Sequence, residues 1–230
     1  MATDVTKLKD RDAATLLRDG TRMDRATFHR LYEQTPSNFK AELIGGVVHR
    51  AAAMRVPHAE HADLLRTWLT IYRFATPGIR GGGDATLLLG ENSEPQPDGL
   101  LWIEGGNARL DNREYLNGPP EFVAEIADST AVTDLGAERS DYARHGVAEY
   151  LVIAFRKKSV FWFARDEHGS YIELGPDADG ILKSLVLPGL WLDANAFCRL
   201  DGNRVMEIAR RGIASPEHTT FVESLSRNRS

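Results

Sequence analysis

The sequence contains a single cysteine, Cys198, among 230 residues. One thiol cannot form an internal disulfide bond, and it cannot build a thiolate zinc cluster. Asp, Glu and His therefore remain as the ligands for any bound metal. A hard cation held by oxygen atoms is the kind of metal that this composition favours.

Long apolar runs are also missing. The longest, such as the leucines at 87–89, are far shorter than the roughly 20 residues that a membrane span needs. The first 20 residues mix charges throughout and lack the apolar core of a secretory signal. These absences predict a cytoplasmic protein that has no membrane partner.

Positive charge is scarce, since 28 Lys and Arg stand against 33 Asp and Glu and give a net charge of −5. This balance argues against general electrostatic attraction to nucleic acid, because phosphate binding needs clustered cations. Local groups remain as candidates. Arg66 and Arg73 share a predicted helix face, and Arg204, Arg210 and Arg211 lie near the C-terminus. Ordinary solvated surface is the alternative interpretation of both groups.

The pattern of apolar residues predicts one α/β domain. Helical spacing indicates helices over 24–34, 57–75 and 134–145, the last capped by Thr133 and ended by Gly146. Extended runs on either side of Gly45-Gly46 indicate a hairpin. Further strands are predicted over 85–90, 98–103, 121–127, 150–155 and 159–165 and near Tyr171, with a loop over 104–118. This order favours a mixed β-sheet flanked by helices.

Two acidic residues stand out against these strands. Glu125 interrupts the apolar run EFVAEIA, and Asp98 begins the run DGLLWI. A buried carboxylate costs several kcal/mol unless a metal or a cation balances it. If the two strands are neighbours, both carboxylates can converge on one Mg²⁺. The alternatives are a turn aspartate at Asp98 and a buried salt bridge at Glu125.

Glu42 and the histidines are further candidates. Glu42 lies on the first strand of the hairpin, where it either reaches the acids or forms a cross-strand ion pair. His58 and His61 are three residues apart on one helix, a spacing that suits a zinc ion, a hydrogen-bonded histidine or a supporting role beside the acids. His145 is placed to interact with the C-terminal end of its helix dipole.

The run PPEFVAEIADSTAVTDLGAERSDYARHGVAEYLVIAF resembles the core of a bacterial restriction endonuclease family that is abundant in cyanobacteria. The family belongs to the PD-(D/E)xK nuclease superfamily, and the likeness extends over roughly residues 25 to 200. It implies a restriction-endonuclease-like fold, DNA as substrate and Mg²⁺ or Mn²⁺ as cofactor. By matching positions, it implicates Asp98 and Glu125 as metal ligands, with Glu42 and His61 as further catalytic residues.

The sequence departs from that family at the catalytic lysine. The superfamily commonly has lysine two places after the second acid, where this chain has Ala127. In this family the lysine lies on the following helix, where this chain has Glu138. Some related nucleases use glutamate in that role, as a base or an extra ligand. A second departure is Gly45, where the family usually has aspartate; the turn itself accepts glycine.

We therefore expect residues 24–200 to form a metal-dependent nuclease domain, with an N-terminal extension over 1–23 and a C-terminal tail over 201–230 that is loose from His218 onward. Glu138 is the fifth catalytic candidate. One alternative is a catalytically silent relative that serves as a binding or assembly module. Another is a hydrolase of a different phosphoester. Cutting both strands of a duplex with one site per chain would favour a homodimer.

Overall fold

The computed structural model of the protein describes the backbone of residues 10–51, 53–127 and 131–227. The helices are α1 Asp10–Leu16, α2 Arg25–Tyr32, α3 Val56–Ala75, α4 Ala131–His145, α5 Ala194–Cys198, α6 Gly202–Ile213 and α7 Pro216–Arg227. The first strands are β1 Ala41–Ile44, β2 Val47–Arg50, β3 Ile79–Gly82, β4 Leu87–Leu88, β5 Gly99–Ile103, β6 Arg109–Leu110 and β7 Leu116–Asn117. The later strands are β8 Phe122–Ile126, β9 Glu149–Ala154, β10 Ser159–Arg165, β11 Tyr171–Glu173, β12 Ile181–Lys183 and β13 Trp191–Asp193.

A six-stranded sheet forms the centre of the fold, in the order β11-β10-β9-β8-β5-β3. β8 and β9 pair in parallel, and their other neighbours pair antiparallel. A parallel pair needs a crossover connection, which α4 supplies between β8 and β9. The predicted mixed α/β sheet is therefore confirmed, and its one crossover helix is the element that carries Glu138.

The two faces of this sheet are covered by different elements. The core on the α3 face includes Trp68, Phe122, Trp162 and Phe197. The core on the α4 face includes Leu100, Val123, Tyr142 and Tyr150. Since side chains alternate along a strand, Glu125 lies on the α4 face with Val123. No helix in the described part of the chain is long and apolar enough to cross a membrane.

The hairpin and the first predicted helix form where the sequence places them. Gly45 and Gly46 have φ values of +55° and +79° between β1 and β2, as a two-residue hairpin turn with positive φ requires. Asp24 caps α2, because its side chain accepts a hydrogen bond of 2.8 Å from the Thr27 N–H. Gly146 follows α4 with φ +90°, which confirms the predicted stop.

Several boundaries differ from the predictions. α4 begins at Ala131, so Thr133 lies inside the helix and does not cap it. Two-residue strands β6 and β7 occupy part of the predicted loop, and β3, β12 and β13 were not predicted. The expected loose end from His218 is wrong for 218–227, since this segment belongs to α7. His218 itself is buried, with its Nε2 2.9 Å from Thr76 Oγ1. The domain limits at 24 and 200 stay a prediction.

Candidate functional site

Asp98, immediately before β5, lies opposite Glu125 on the neighbouring strand β8. Gly99 pairs with Ala124 in the antiparallel register of β5 and β8, which places the residue before Gly99 across from the residue after Ala124. The Asp98 N–H donates to Glu125 Oε2 at 3.4 Å, and the Ile126 N–H donates to Asp98 Oδ2 at 2.8 Å. The register thus brings together the two acids that the sequence singled out.

α4 contributes a third acid, Glu138, and two buried tyrosines lie between it and Glu125. The Tyr142 hydroxyl donates to Glu125 Oε1 at 3.2 Å, and the Tyr150 hydroxyl donates to Glu138 Oε2 at 3.2 Å. The two rings lie 4.9 Å apart. Glu138 therefore faces the sheet beside Glu125, as predicted, and buried Tyr142 anchors the helix. The side chain of Leu135, the other predicted anchor, lies outside the described residues.

Glu42 approaches the same acids from β1. Its Oε1 accepts a hydrogen bond from the backbone N–H of Gln96. Burial raises the pKa of the Glu42 carboxyl, the Gln96 N–H lowers it, and the negative charges of Asp98 and Asp84 raise it further. Glu42 is thus an acid of this cluster. In the described part of the chain it forms no cross-strand ion pair with His49, its register partner on β2.

The surroundings of Glu125 disfavour its charge. Burial raises its pKa well above the ordinary value, and the charges of Glu138, Asp98 and Glu42 raise it further, in that order. Among the described residues, no Lys or Arg forms a salt bridge with Glu42, Asp98 or Glu125. Close carboxylates without a cation repel one another and tend to hold protons. The cluster therefore has a deficit of positive charge.

The two histidines of α3 have different surroundings. His58 Nε2 lies 3.5 Å from Asp98 Oδ1. The ring of His61 is buried and stacks on Phe155 at 4.3 Å. His61 Nδ1 faces the Pro57 carbonyl oxygen at 2.7 Å, and its Nε2 faces that of Cys198 at 3.5 Å. The structure therefore brings His58, and not the predicted His61, to the acids.

Sequence reasoning missed the role of the tyrosines. Tyr142 follows Glu138 by four residues, which places both on one face of a helix, and a buried tyrosine hydroxyl needs a polar partner. These two rules together could have indicated a carboxylate near Tyr142. Tyr150 carried no such signal, because it lies within a continuous apolar strand.

The donor chemistry of the cluster fits a divalent cation in part. Asp98 and Glu125 offer carboxylate oxygens from adjacent strands, which is the ligand type that Mg²⁺ and Mn²⁺ prefer. However, across residues 10–51, 53–127 and 131–227, no set of three or more His, Cys, Asp or Glu side chains is arranged to hold an ion. One oxygen of Asp98 and one of Glu42 instead accept backbone N–H groups. The protein thus provides two facing carboxylates, with further acids beside them.

A family model described as "Putative restriction endonuclease", that of the Uma2 family, matches residues 25–195. The match spans both strands of the candidate site as well as α4. The chain belongs to the Uma2 family. The resemblance drawn from the sequence is therefore confirmed over nearly the range from which it was drawn.

A solved structure has the same fold as this Uma2 protein. It is described as a "putative nuclease belonging to DUF820 from Anabaena variabilis ATCC 29413", a cyanobacterium. The two share 15% sequence identity and a TM-score of 0.54, over 74% of this chain and 97% of the other. At this identity the likeness supports the restriction-endonuclease-like fold alone. A comparison with curated proteins gives no match.

Proposed function

We propose that this Uma2 protein is a metal-dependent endonuclease that hydrolyses DNA phosphodiester bonds. Family and fold support a nuclease. The observation that carries the proposal is the pairing of Asp98 with Glu125 across β5 and β8, where no Lys or Arg of the described chain neutralises them. In this proposal both residues hold Mg²⁺ or Mn²⁺, and Glu42 and Glu138 lie beside them.

Each residue of the site has a distinct task in this proposal. A bound divalent cation would supply Lewis acidity toward the phosphodiester and toward a water. The Tyr142 hydroxyl orients the Glu125 carboxylate, and the Ile126 N–H orients that of Asp98. Glu138, in the family's lysine position, can accept a proton from an attacking water but cannot neutralise a developing negative charge. We therefore expect weak activity.

The geometry assigns the supporting histidine differently from the sequence. His58 lies 3.5 Å from Asp98 Oδ1, where it can orient that carboxylate or carry a proton. His61 packs among aromatic rings, so we assign it a structural role, which is to hold α3 in place, and no role in the reaction. A His58→Gln variant should therefore lose more nuclease activity than His61→Gln when both are compared at equal folded fraction.

Nicking of supercoiled plasmid DNA tests the proposal. Wild type should nick weakly with Mg²⁺ or Mn²⁺, Asp98→Ala should not nick, and Glu138→Lys should nick faster because a cation returns to the family's position. Glu121→Gln is the matched control, because its carboxylate lies one residue before β8 and accepts the Ile103 N–H at 2.7 Å, away from the cluster. It should retain wild-type activity.

The second candidate is a silent member of the fold that binds a partner without cutting. Two observations favour it: Glu138 replaces the lysine, and no set of three potential ligands is assembled in the described residues. Equal inactivity of wild type, Glu138→Lys and Asp98→Ala with both metals would establish this candidate over the nuclease.

A further inference from the structure

The edge of the main sheet formed by β3 has few side chains, because it is rich in glycine. β3 is the last strand in the sheet order, and it runs into the glycines at 81–83. A Cβ at Gly81 would lie 2.5 Å from Leu101 Cδ2, and one at Gly83 would lie 2.5 Å from the Asp98 carbonyl oxygen. At Gly82 a Cβ would meet nothing within 4 Å. A ligand can therefore approach the backbone of this edge closely at Gly82.

Two cavities follow this edge. The first, of about 140 Å³, lies between α3 and β3 and is lined by Arg66, Arg73 and the three glycines. The second, of about 280 Å³, is lined by Arg73, Phe74, Arg80 and Trp102. Since Arg73 and Gly81 line both, the cavities adjoin. We call this combined feature the edge groove.

Two of the three arginines that line the edge groove form no ion pair with an acid of the described chain. Arg66 is paired with Asp84 at 2.8 Å. Arg73 donates to the Gly81 carbonyl oxygen at 2.7 Å, and the Arg80 guanidinium lies over the Trp102 ring at 5.2 Å. Neither Arg73 nor Arg80 forms a salt bridge with any residue that the structure describes. The overall charge of −5 makes this concentration of free cations a local feature.

An exposed aromatic ring accompanies these cations. Phe74 is 76% exposed, the highest fraction among the large hydrophobic residues of the described chain. The guanidinium of Arg73 lies 4.8 Å from the centre of its ring. Aromatic rings beside arginines are typical of surfaces on which the bases of a single strand stack while its phosphates meet the cations.

The edge groove leads to the candidate active site. A Cβ at Gly83 would meet both the Asp98 carbonyl oxygen and Arg66, and the Asp84 N–H donates to the Pro97 carbonyl oxygen at 2.8 Å. Because β3 is antiparallel to β5, its last residue lies at the Asp98 end and Arg80 lies further away. At about 3.3 Å per residue, residues 80 to 82 of β3 span roughly 7 Å, and the bend at 83–84 follows them. A strand cut at the acids could continue along the groove.

We propose that the edge groove binds a single-stranded segment of DNA next to the scissile phosphate, with Arg73 and Arg80 on its phosphates and a base on Phe74. The choice of DNA as ligand rests on the proposed nuclease function. The residues that line the groove do not include the proposed metal ligands Asp98 and Glu125. Binding can therefore be measured in EDTA, where cleavage does not occur, so that failure of the nuclease and failure of the groove give different results.

The first test changes charge at one open position. Fluorescence anisotropy follows a labelled oligothymidylate of about 15 nucleotides in EDTA at low salt. Gly82→Glu should weaken binding at least tenfold, while the isosteric Gly82→Gln should stay within about threefold of wild type, because a phosphate is repelled only by the charge. Equal affinities of these two variants, or no binding by wild type, would overturn the proposal.

The second test separates phosphates from bases. The double variant Arg73→Gln/Arg80→Gln should reduce the slope of log K against log salt by roughly 1.4, which is two single-strand phosphate contacts. The control Arg18→Gln/Arg30→Gln, with the same loss of charge at exposed positions after α1 and in α2, should leave the slope unchanged. Phe74→Ala should weaken oligothymidylate by roughly fivefold or more, but should not weaken an abasic strand of equal length.

Other ligands give other patterns. Duplex DNA bound as tightly as the single strand, with no loss in Phe74→Ala, would overturn the single-strand assignment. Polyglutamate bound with the same losses in Arg73→Gln/Arg80→Gln would overturn the nucleic-acid assignment in favour of an acidic protein segment. Melting temperatures within about 2 °C of wild type would show that each variant is folded.

Discussion

Two glutamates on adjacent parallel strands have opposite surroundings. Glu149 begins β9, is fully buried and accepts four hydrogen bonds. The donors are Trp162 Nε1 at 3.0 Å, Ser184 Oγ at 2.7 Å, Leu185 N at 2.6 Å and Val186 N at 3.2 Å. Burial raises the pKa of the Glu149 carboxyl, and all four donors oppose that rise. This carboxylate joins the chain at 184–186 to the sheet.

Glu125, on β8, has few donors and many acids around it. It accepts the Tyr142 hydroxyl at 3.2 Å and the Asp98 N–H at 3.4 Å. Its acidic neighbours raise its pKa in addition to burial, whereas the neighbours of Glu149 lower the pKa of that residue. A buried carboxylate with a complete set of donors is explained by structure alone. A carboxylate with a deficit of donors and cations, such as Glu125, fits our proposal that a cation binds beside it.

The largest expected effect is the loss of stability when Glu149 is replaced. Glu149→Ala removes the acceptor of four donors, of which the Trp162 indole and the Ser184 hydroxyl are buried, so the free energy of unfolding should fall by about 3 kcal/mol or more. Glu125→Ala removes repulsion together with the Tyr142 hydroxyl bond and the long Asp98 N–H bond, so its loss should be about 1 kcal/mol or less. Urea denaturation of both variants at pH 7 in EDTA measures the difference. Equal losses would show that the donor count does not distinguish these sites.

The next effect concerns the metal. Mg²⁺ or Mn²⁺ at about 100 times its Kd should raise the free energy of unfolding by about 2.7 kcal/mol, because it binds only the folded state. Asp98→Asn and Glu125→Gln should abolish this gain, and Glu121→Gln should keep it. Denaturation curves with metal and with EDTA provide the measurement. A gain that persists in Asp98→Asn would place the metal elsewhere.

A smaller effect is the pH dependence of the metal-free protein. The folded-state pKa of Glu125 is raised above its ordinary value of 4.5. At a pH between these two pKa values, the folded state holds a proton that the unfolded state has released. Stability from this group is fully present below about pH 4.5 and falls as pH rises through the raised pKa. Glu125→Gln should flatten this part of the profile, as measured by urea denaturation in EDTA. An unchanged profile would mean that Glu125 is not the group responsible.

The sequence predicted which two acids meet better than it predicted what surrounds them. Asp98 and Glu125 lie in neighbouring strands with clear apolar patterns, so their meeting required only the register of β5 and β8. Glu149 begins a similar apolar run, but three of its four donors come from residues 35 to 37 positions later. No local pattern contains such a distant partner. Buried acids in strands can therefore be found in a sequence, but not sorted into structural and functional ones.

Three other errors have local causes. His58 and His61 are three residues apart and point about 60° apart around α3, so only the packed rotation of the helix decides which one meets Asp98. β3 was missed because its glycines have low strand propensity, and its pairing with β5 compensates for that. In α6 the apolar spacing of Val205, Ile208 and Ala209 was present in the sequence, but the interspersed charges concealed it.

The smallest expected effect comes from replacing Glu138, one of the acidic neighbours that raise the pKa of Glu125. Glu138 is partly exposed, so solvent screens its charge, and Glu138→Lys should change the free energy of unfolding at pH 7 by less than about 1 kcal/mol. The substitution should nevertheless lower the pKa of Glu125, because the largest charge that raises it is reversed in sign. The fall in metal-free stability with rising pH should therefore become shallower than in wild type. Glu138→Gln, which keeps an acceptor for the Tyr150 hydroxyl, should give an intermediate slope. A slope in Glu138→Lys equal to that of wild type would show that the charge of Glu138 does not reach Glu125, and that α4 brings Glu138 near the acids without coupling it to them.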